Sequence, residues 1–171
     1  MLDSLALPTD LALPHGSVTV RRATARDLQA IMRLLADDPI SAARGDENSG
    51  ADEHVYARAL AAIIDDPSNE LIVVVEPDGE IVGTLQLTSI PGMSRRGSTR
   101  LLVEAVRVAG DRRSEGIGGA VMHWVMDAAA PALGASLVKL TSDAARTDAH
   151  RFYRRLGFAE SHVGFTYRVA R

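Results

Sequence analysis

A glycine-rich turn between a predicted strand and a predicted helix is the first stretch whose residue types suit chemistry. It reads Arg113-Ser-Glu-Gly-Ile-Gly-Gly119, and the helix follows directly. Glycines at a helix start let backbone amides approach a ligand closely, and the positive end of the helix favours a phosphate. The spacing differs from the GxGxxG of dinucleotide sites and from the Walker pattern. A turn that binds no ligand is the competing interpretation.

Two side chains could move protons. Glu104 lies among apolar residues of a predicted strand, with the same alternation as Val106 and Val108. Burial among apolar neighbours makes a carboxylate a better base, whereas the alternative is an exposed glutamate paired with Arg100. Tyr153 carries a phenol whose reference pKa of about 10 keeps it protonated at neutral pH, so it can donate a proton. The alternative for this tyrosine is a core aromatic residue with a bonded hydroxyl.

The other polar residues show no pattern of a metal or thiol site. The chain has no cysteine, which excludes a thiolate nucleophile and a disulfide framework. Its five histidines lack a close ligand spacing such as HExxH, so we expect no metal. Arg95, Arg96 and Arg100, in or beside a predicted loop, form either an anion-binding patch or a solvated surface.

Length and composition indicate one soluble globular domain. The chain has 171 residues, of which 46% are apolar and 24% are charged. The net charge of −3 lacks the basic field of a nucleic-acid binder. No run of apolar residues is long enough to span a bilayer, and the N-terminus does not resemble a secretory signal. We therefore expect a cytoplasmic protein with neither a nucleic-acid nor a membrane partner.

The hydrophobic pattern predicts the elements that must position these residues, in the order β-α-α-β-β-β-α-β-α-β-β. A capping box at Thr24–Asp27 should start the first helix. The acidic loop 37–50 is long enough to be a binding loop or a lid. Predicted strands cover 17–22, 71–75, 81–89, 101–108 and 136–141, with closing strands at 158–160 and 164–169; the later helices cover 52–64, about 120–130 and 149–156.

The N-terminal residues form a separate segment in this interpretation. Residues 1–16 contain two Leu-Ala-Leu-Pro elements, and each proline prevents a helix from continuing. We expect a flexible or extended arm outside the core, followed by a single domain over 17–171. The arm is either a disordered tail or a segment that docks on a partner subunit.

A second motif favours the ligand-binding interpretation of the glycine-rich turn. It reads Arg146-Thr-Asp-Ala-His-Arg-Phe-Tyr-Arg-Arg-Leu-Gly-Phe158. Together they resemble the GCN5-related N-acetyltransferase (GNAT) family over residues 17–171. Ser114 stands where that family often has glycine, and Arg146 stands where it often has asparagine, so Arg146 could reach a phosphate instead. The family motif Arg/Gln-x-x-Gly-x-Gly/Ala is matched by Arg113, Gly116 and Gly118, and Ala-x-x-Phe-Tyr-x-x-x-Gly-Phe by Ala149, Phe152, Tyr153, Gly157 and Phe158.

The resemblance implies an α/β (α+β) fold with a mixed, mostly antiparallel twisted sheet flanked by helices on both faces. It implies direct acetyl transfer from acetyl-CoA to a primary amine of a small molecule in a ternary complex. Glu104 would be the base, directly or through water, Tyr153 the acid, and the N–H of Val108 the donor to the thioester oxygen. The implied cofactor-binding residues are Val106, Arg107, Val108, Arg113, Ser114, Glu115, Gly116, Ile117, Gly118, Gly119, Asp143, Arg146, Ala149, Phe152 and Tyr153.

Two C-terminal segments are similar to one branch of the family. Thr147-Asp-Ala-His-Arg-Phe-Tyr and Glu160-Ser-His-Val-Gly-Phe-Thr resemble the aminoalkylphosphonate acetyltransferases, which act on small primary amines. The family also implies a homodimer, through the C-terminal strands or the N-terminal arm. The alternatives are a catalytically weak acyl-CoA sensor, a protein-interaction module, and an acetyltransferase for protein lysines or N-termini.

Overall fold

The computed structural model describes residues 2–42, 45 and 49–169. Its centre is one sheet of six strands whose order in space is their order in the chain. The strands are β1 (Thr9–Leu13), β2 (Gly16–Arg22), β3 (Asn69–Val75), β4 (Ile81–Ile90), β5 (Thr99–Val108) and β6 (Ala135–Leu140). The main helices are α1 (Leu28–Ala36), α2 (Glu53–Ile64), α3 (Ile117–Trp124) and α4 (Thr147–Arg155); α3 continues through a π-helical turn (Val125–Ala129) and a short turn (Ala130–Ala132).

Each strand pairs with its neighbours in sequence. The first four pairings are antiparallel, and only β5 with β6 is parallel, as the crossover through α3 requires. Pro14 and His15 form the two-residue turn between β1 and β2, and Gly16 beyond it has a φ of 104°. The expected mixed, mostly antiparallel sheet is confirmed.

The core lies on both faces of the sheet. On one face, Leu87 of β4 and Val103 of β5 pack with Met122 of α3 in a fully buried cluster. On the other face, Leu60 of α2 packs in a smaller cluster with Val73 of β3. Helices therefore cover both faces, as the sequence predicted, and β5 carries residues toward each of them.

The start of α1 follows the predicted capping chemistry. The Thr24 N–H donates to the Asp27 carboxylate over 2.7 Å, which completes the capping box. Arg21 donates two further hydrogen bonds to the same carboxylate, at 2.7 and 2.8 Å. Hydrogen bonds from Arg21 hold the pKa of Asp27 below its usual range although this residue is buried.

The structure corrects the expectation for the N-terminal arm. Thr9–Leu13 is extended, but it pairs with β2 along its whole length as an edge strand. Leu2, which is 0% exposed, and Leu5, which is 5% exposed, lie in the main core cluster. The prolines therefore bound a strand instead of keeping these residues out of the core.

The closing strands are also corrected. Residues 158–169 follow an irregular path without strand pairing, and the apolar side chains beyond Ser161 are exposed. In the loop 37–50, Pro39–Ala42 forms a helical turn; residues 43, 44 and 46–48 lie outside the described residues. Among the described residues, no helix is both long and apolar enough to cross a membrane.

Candidate active site

A gap between the two parallel strands forms the centre of the site. The pairing of β5 with β6 ends at Val103 and Leu140, whereas β5 continues to Val108. On its other side β5 stays paired with β4, since the Ala109 N–H donates to the Val82 carbonyl over 2.8 Å. Backbone groups alternate in direction along a strand, so those of Val108 point toward the gap. The Arg113 Nε bond to the Val108 carbonyl, at 3.3 Å, agrees with this direction.

A β-bulge in β5 puts Glu104 and Val106 on opposite faces of the sheet, although the sequence pattern predicted that they share one face. Gln86 lies opposite Glu104 and Thr84 opposite Arg107, so β5 has one extra residue in this interval. The bulge includes Ala105, whose φ is 50°. Glu104 and Arg107 consequently share the face of the sheet covered by α1 and α2.

The expectation that Glu104 shares a face with Val106 and Val108 is therefore wrong. Both valines pack against the main core cluster, on the side of α3 and α4, while Glu104 is exposed on the other face. Its predicted burial is also wrong, because Glu104 follows the buried Val103 in regular alternation and so faces away from the main core cluster. Alternation across a strand holds only while the pairing is regular, and nothing in the residue types around Ala105 marks the extra position.

The glycine-rich turn has the backbone that its sequence predicts. Ser114 and Gly116 have φ values of 69° and 93°, and α3 begins at the next residue, Ile117. A Cβ on Gly116 would also lie only 2.9 Å from Cδ of Pro14, at the end of β1. Glycine is required at this position, and the first amides of α3 are left to face a ligand.

The two sequence motifs meet at the start of α3. A Cβ on Gly118 would lie 3.5 Å from Cζ of Phe152 and 3.9 Å from a methyl group of Val108. The glycine turn, the end of β5 and α4 thus surround the same space. A Cβ on Gly119 would meet no atom within 4 Å, so this face of α3 is open beside the space, which we call the groove.

Tyr153 is half-buried on the groove side of α4. Its ring makes edge contacts with Phe152 and Phe158, at centroid distances of 5.1 and 5.8 Å. Burial raises the pKa of the Tyr153 hydroxyl, and the positive charges of Arg107 and Arg146 oppose that rise. The phenol is therefore a proton donor at neutral pH.

Several predicted cofactor residues have protein partners. Arg146 makes two hydrogen bonds to the Asp38 carboxylate, one of them 2.6 Å long, in place of the free guanidinium expected for a phosphate. The Asp143 carboxylate accepts the Ala145 N–H over 2.8 Å and thereby shapes the turn before α4. Glu115 lies 3.7 Å from Arg112.

Asp37 contacts the glycine-rich segment from the end of α1. Its carboxylate accepts the Gly110 N–H over 2.9 Å and lies 3.5 Å from Nη2 of Arg113. The sequence analysis missed both Asp37 and Asp38, which it assigned to an acidic loop. The only signal was that two carboxylates end an amphipathic helix, and their partners are far away in the sequence.

Two charged groups lie apart from the groove. Arg95 and Arg96 have φ values of 54° and 60° in the turn between β4 and β5, at the opposite end of β5 from the glycine-rich turn. This position argues against an anion patch at the active site. Glu76, Asp78 and Glu80, in the turn between β3 and β4, bring three carboxylate oxygens within 4.8 Å of one another, and Glu76 pairs with Arg112.

Comparisons with known proteins agree with this geometry. The model of the acetyltransferase (GNAT) family matches residues 28–158. The aminoalkylphosphonate N-acetyltransferase of Salmonella typhimurium is 28% identical over 147 residues, which cover 86% of this chain and 88% of that protein.

Solved structures show the same fold. A protein described as a transcriptional regulator from Bacillus halodurans is 39% identical, with a TM-score of 0.83 over 89% of this chain and 99% of that one. Glucosamine-6-phosphate N-acetyltransferase from Arabidopsis thaliana is 17% identical, with a TM-score of 0.70 over 90% of this chain and 99% of that one. The family match covers both motifs and the strands and helices that carry them. The chain therefore belongs to the acetyltransferase (GNAT) family of N-acetyltransferases.

Proposed function

We propose that this protein transfers the acetyl group of acetyl-CoA to a primary amine of a small molecule, by direct attack in a ternary complex. GNAT acetyltransferases use acetyl-CoA as their cosubstrate. The observation that carries the proposal is that a Cβ on Gly118 would reach within 3.5 Å of Phe152, beside the gap between β5 and β6. It joins a phosphate-type turn, an open strand edge and a helix that holds a proton donor.

In this proposal the pantetheine, the pyrophosphate and the thioester of acetyl-CoA each have a partner along the groove. The backbone groups of Val106 and the carbonyl of Val108 would bond the pantetheine amides, because they face the gap. Both carbonyls also accept a hydrogen bond from an arginine, Arg107 and Arg113 respectively. The amides of residues 114–119 would receive the pyrophosphate at the start of α3. The Val108 N–H would donate to the thioester oxygen, where negative charge grows during the reaction.

The proton transfers divide between two residues in this mechanism. The ammonium of the acceptor loses its proton to Glu104, directly or through water, and the free amine attacks the thioester carbon. The C–N bond forms, and the nitrogen releases its second proton to water. The C–S bond breaks, the departing thiolate takes the proton of the Tyr153 hydroxyl, and water restores the proton of the phenol. Glu104 and Tyr153 lie on opposite faces of β5, so the amine would approach from one side and the thiol would leave on the other.

We infer that the acceptor is a small amine that also carries an acidic group. The Salmonella relative acts, by its name, on aminoalkylphosphonates. In this chain the half-buried Arg107 guanidinium lies at the gap, where it donates to the Val106 carbonyl over 2.8 Å, and a guanidinium suits a phosphonate or carboxylate. An exposed protein lysine would gain little from a charge in that place.

We also infer a cytoplasmic homodimer. The exposed apolar residues of the C-terminal segment alternate with polar residues, which is the pattern of a strand without a partner. Strand β6, at the edge of the sheet, offers a free edge to such a segment from a second copy.

Calorimetric titration with acetyl-CoA tests the cofactor site. We expect micromolar binding, lost in Gly116→Glu, whose added bulk and charge would repel the pyrophosphate. Glu160→Gln, a charge change on the exposed surface after α4, should bind like the parent. No binding by the parent protein would overturn the proposal. Binding without CoA release across a panel of amines and aminophosphonates would favour the acyl-CoA sensor, a function closer to the name of the Bacillus relative.

A further inference from the structure

Two consecutive aspartates at the end of α1 connect this helix to both sides of the groove. Asp37 contacts the glycine-rich segment, while Asp38 binds Arg146 at the start of α4. The side chains of the second pair are only 12% and 19% exposed, and 108 positions separate the two residues. A paired guanidinium and carboxylate with so little exposure are weakly screened by water.

Arg146 is placed to act on the proposed acid. It occupies the N-cap position of α4 without a side-chain capping hydrogen bond, and Tyr153 follows seven positions later, which corresponds to about two helical turns and the same helix face. The hydroxyl of Tyr153 senses the Arg146 charge, together with that of Arg107 from β5. The remaining neighbours described around its ring, Phe152 and Phe158, are uncharged.

We propose that Asp38 is a positioning residue for the transfer reaction: by holding and partly neutralising Arg146, it fixes the start of α4 and sets the charge that acts on Tyr153. This inference rests on the role of Tyr153 in the proposed function. Its two consequences are separable. One concerns the acidity of a phenol and can be measured without substrate, and the other concerns turnover.

Ultraviolet titration of Tyr153 tests the first consequence. The protein has three tyrosines, so Tyr56→Phe and Tyr167→Phe together leave Tyr153 as the reporter. Asp38→Asn removes a negative charge, which favours the tyrosinate, and its titration midpoint should fall below that of the parent. Arg146→Gln removes a positive charge, and its midpoint should rise. The two variants remove charges of opposite sign, so their midpoints should move in opposite directions.

Controls separate this effect from a loss of structure. Asp37→Asn alters the adjacent, more exposed carboxylate, which does not bind Arg146 in the described contacts, and its midpoint should equal that of the parent. Asp38→Asn combined with Arg146→Gln should give a midpoint between those of the two single variants, because the two charges act on the tyrosinate with opposite sign. Midpoints that do not move, or that move in the same direction in both single variants, would overturn the inference.

Steady-state kinetics test the second consequence. Asp38→Asn should lower kcat about tenfold, as expected for a misplaced catalytic group, and leave the affinity for acetyl-CoA within about twofold. An unchanged kcat would overturn the positioning role. If Tyr153→Phe keeps its full kcat, the acid role in the proposed function fails, and the titration still reports separately on the charge coupling.

Discussion

Burial of its side chain raises the pKa of Tyr153, and a group that retains its proton at neutral pH can supply that proton to a thiolate. Two guanidiniums nearby keep the rise in its pKa from being larger. They would also stabilise the negative charge that forms as the thioester breaks. The same surroundings therefore favour both the proton donor and the departing group.

Replacing the phenol separates this role from packing. Tyr153→Phe retains the ring and its aromatic contacts but removes the proton. We expect kcat to fall about 100-fold, the scale of general acid catalysis, with the affinity for acetyl-CoA nearly unchanged. Continuous detection of released CoA measures the first and calorimetry the second. Tyr167→Phe, a change at an exposed residue, is the matched control, and equal rates in both variants would remove the acid role.

The contribution of Glu104 to catalysis should depend strongly on pH, because a base is needed only while the acceptor amine carries a proton. Glu104→Gln should lower kcat/KM about tenfold near neutral pH, where most of the amine carries a proton that must be removed. As pH rises, more amine is already neutral, and the difference from the parent should shrink. A pH profile of kcat/KM measures this convergence. A variant that matches the parent at all pH values would leave Glu104 as an ordinary surface residue.

At the scale of elements, the sequence predicts a strand or helix correctly where its hydrophobic pattern is regular and the fold supplies a neighbouring strand or core for it. The capping box at Thr24 and the strands from β2 to β6 belong to this class. Strand β1 was missed because its flanking prolines resemble breakers, although an edge strand tolerates them at its ends. The closing strands were predicted from alternation alone. Alternation indicates that a segment can form a strand, but it does not indicate whether another strand lies beside it.

The candidate site also has parts that the sequence predicts and parts that it does not. The glycine turn and α4 could be predicted because each motif is contiguous in sequence. The bulge at Ala105 and the pairing of Asp38 with Arg146 could not, because one depends on strand register and the other on a contact over 108 positions.

Leu2 tests the corrected position of the N-terminal segment. Leu2→Ala removes a fully buried side chain from the main cluster, so we expect the free energy of unfolding to fall by about 3 kcal/mol. Ala12→Ser, at an exposed position of β1, should change it by less than about 0.5 kcal/mol. Urea denaturation of the two variants measures both values. A negligible effect of Leu2→Ala would support the flexible arm that the sequence indicated.

At the scale of the whole molecule, the most conspicuous feature is apolar surface that one copy leaves uncovered. Val163, Phe165, Tyr167 and Val169 are 80%, 95%, 89% and 78% exposed. Alternate residues of an extended segment point the same way, so these four could form one continuous apolar row. Exposing such a row to water is unfavourable in free energy, and contact with a second molecule would remove it from water.

Light scattering coupled to size-exclusion chromatography tests the proposed dimer. We expect twice the chain mass for the parent and a single chain mass for Phe165→Asp combined with Tyr167→Asp, because two charges would enter the paired face. Thr166→Asp adds a charge to the opposite face of the segment and should stay dimeric. A monomeric parent, or a double variant that remains dimeric, would contradict assembly through this segment.

The bulge in β5 also has a consequence for how this chain can vary. Removing Ala105 would restore plain alternation and leave Val106 and Val108 on the core face and Arg107 on the other, because Ala105 is the extra residue of the interval. Replacing Ala105 by another residue leaves that order intact, at the cost of its positive φ. This part of the chain should therefore tolerate the loss of Ala105 or a substitution there, whereas one further inserted residue would exchange the two faces of the strand for every residue after it.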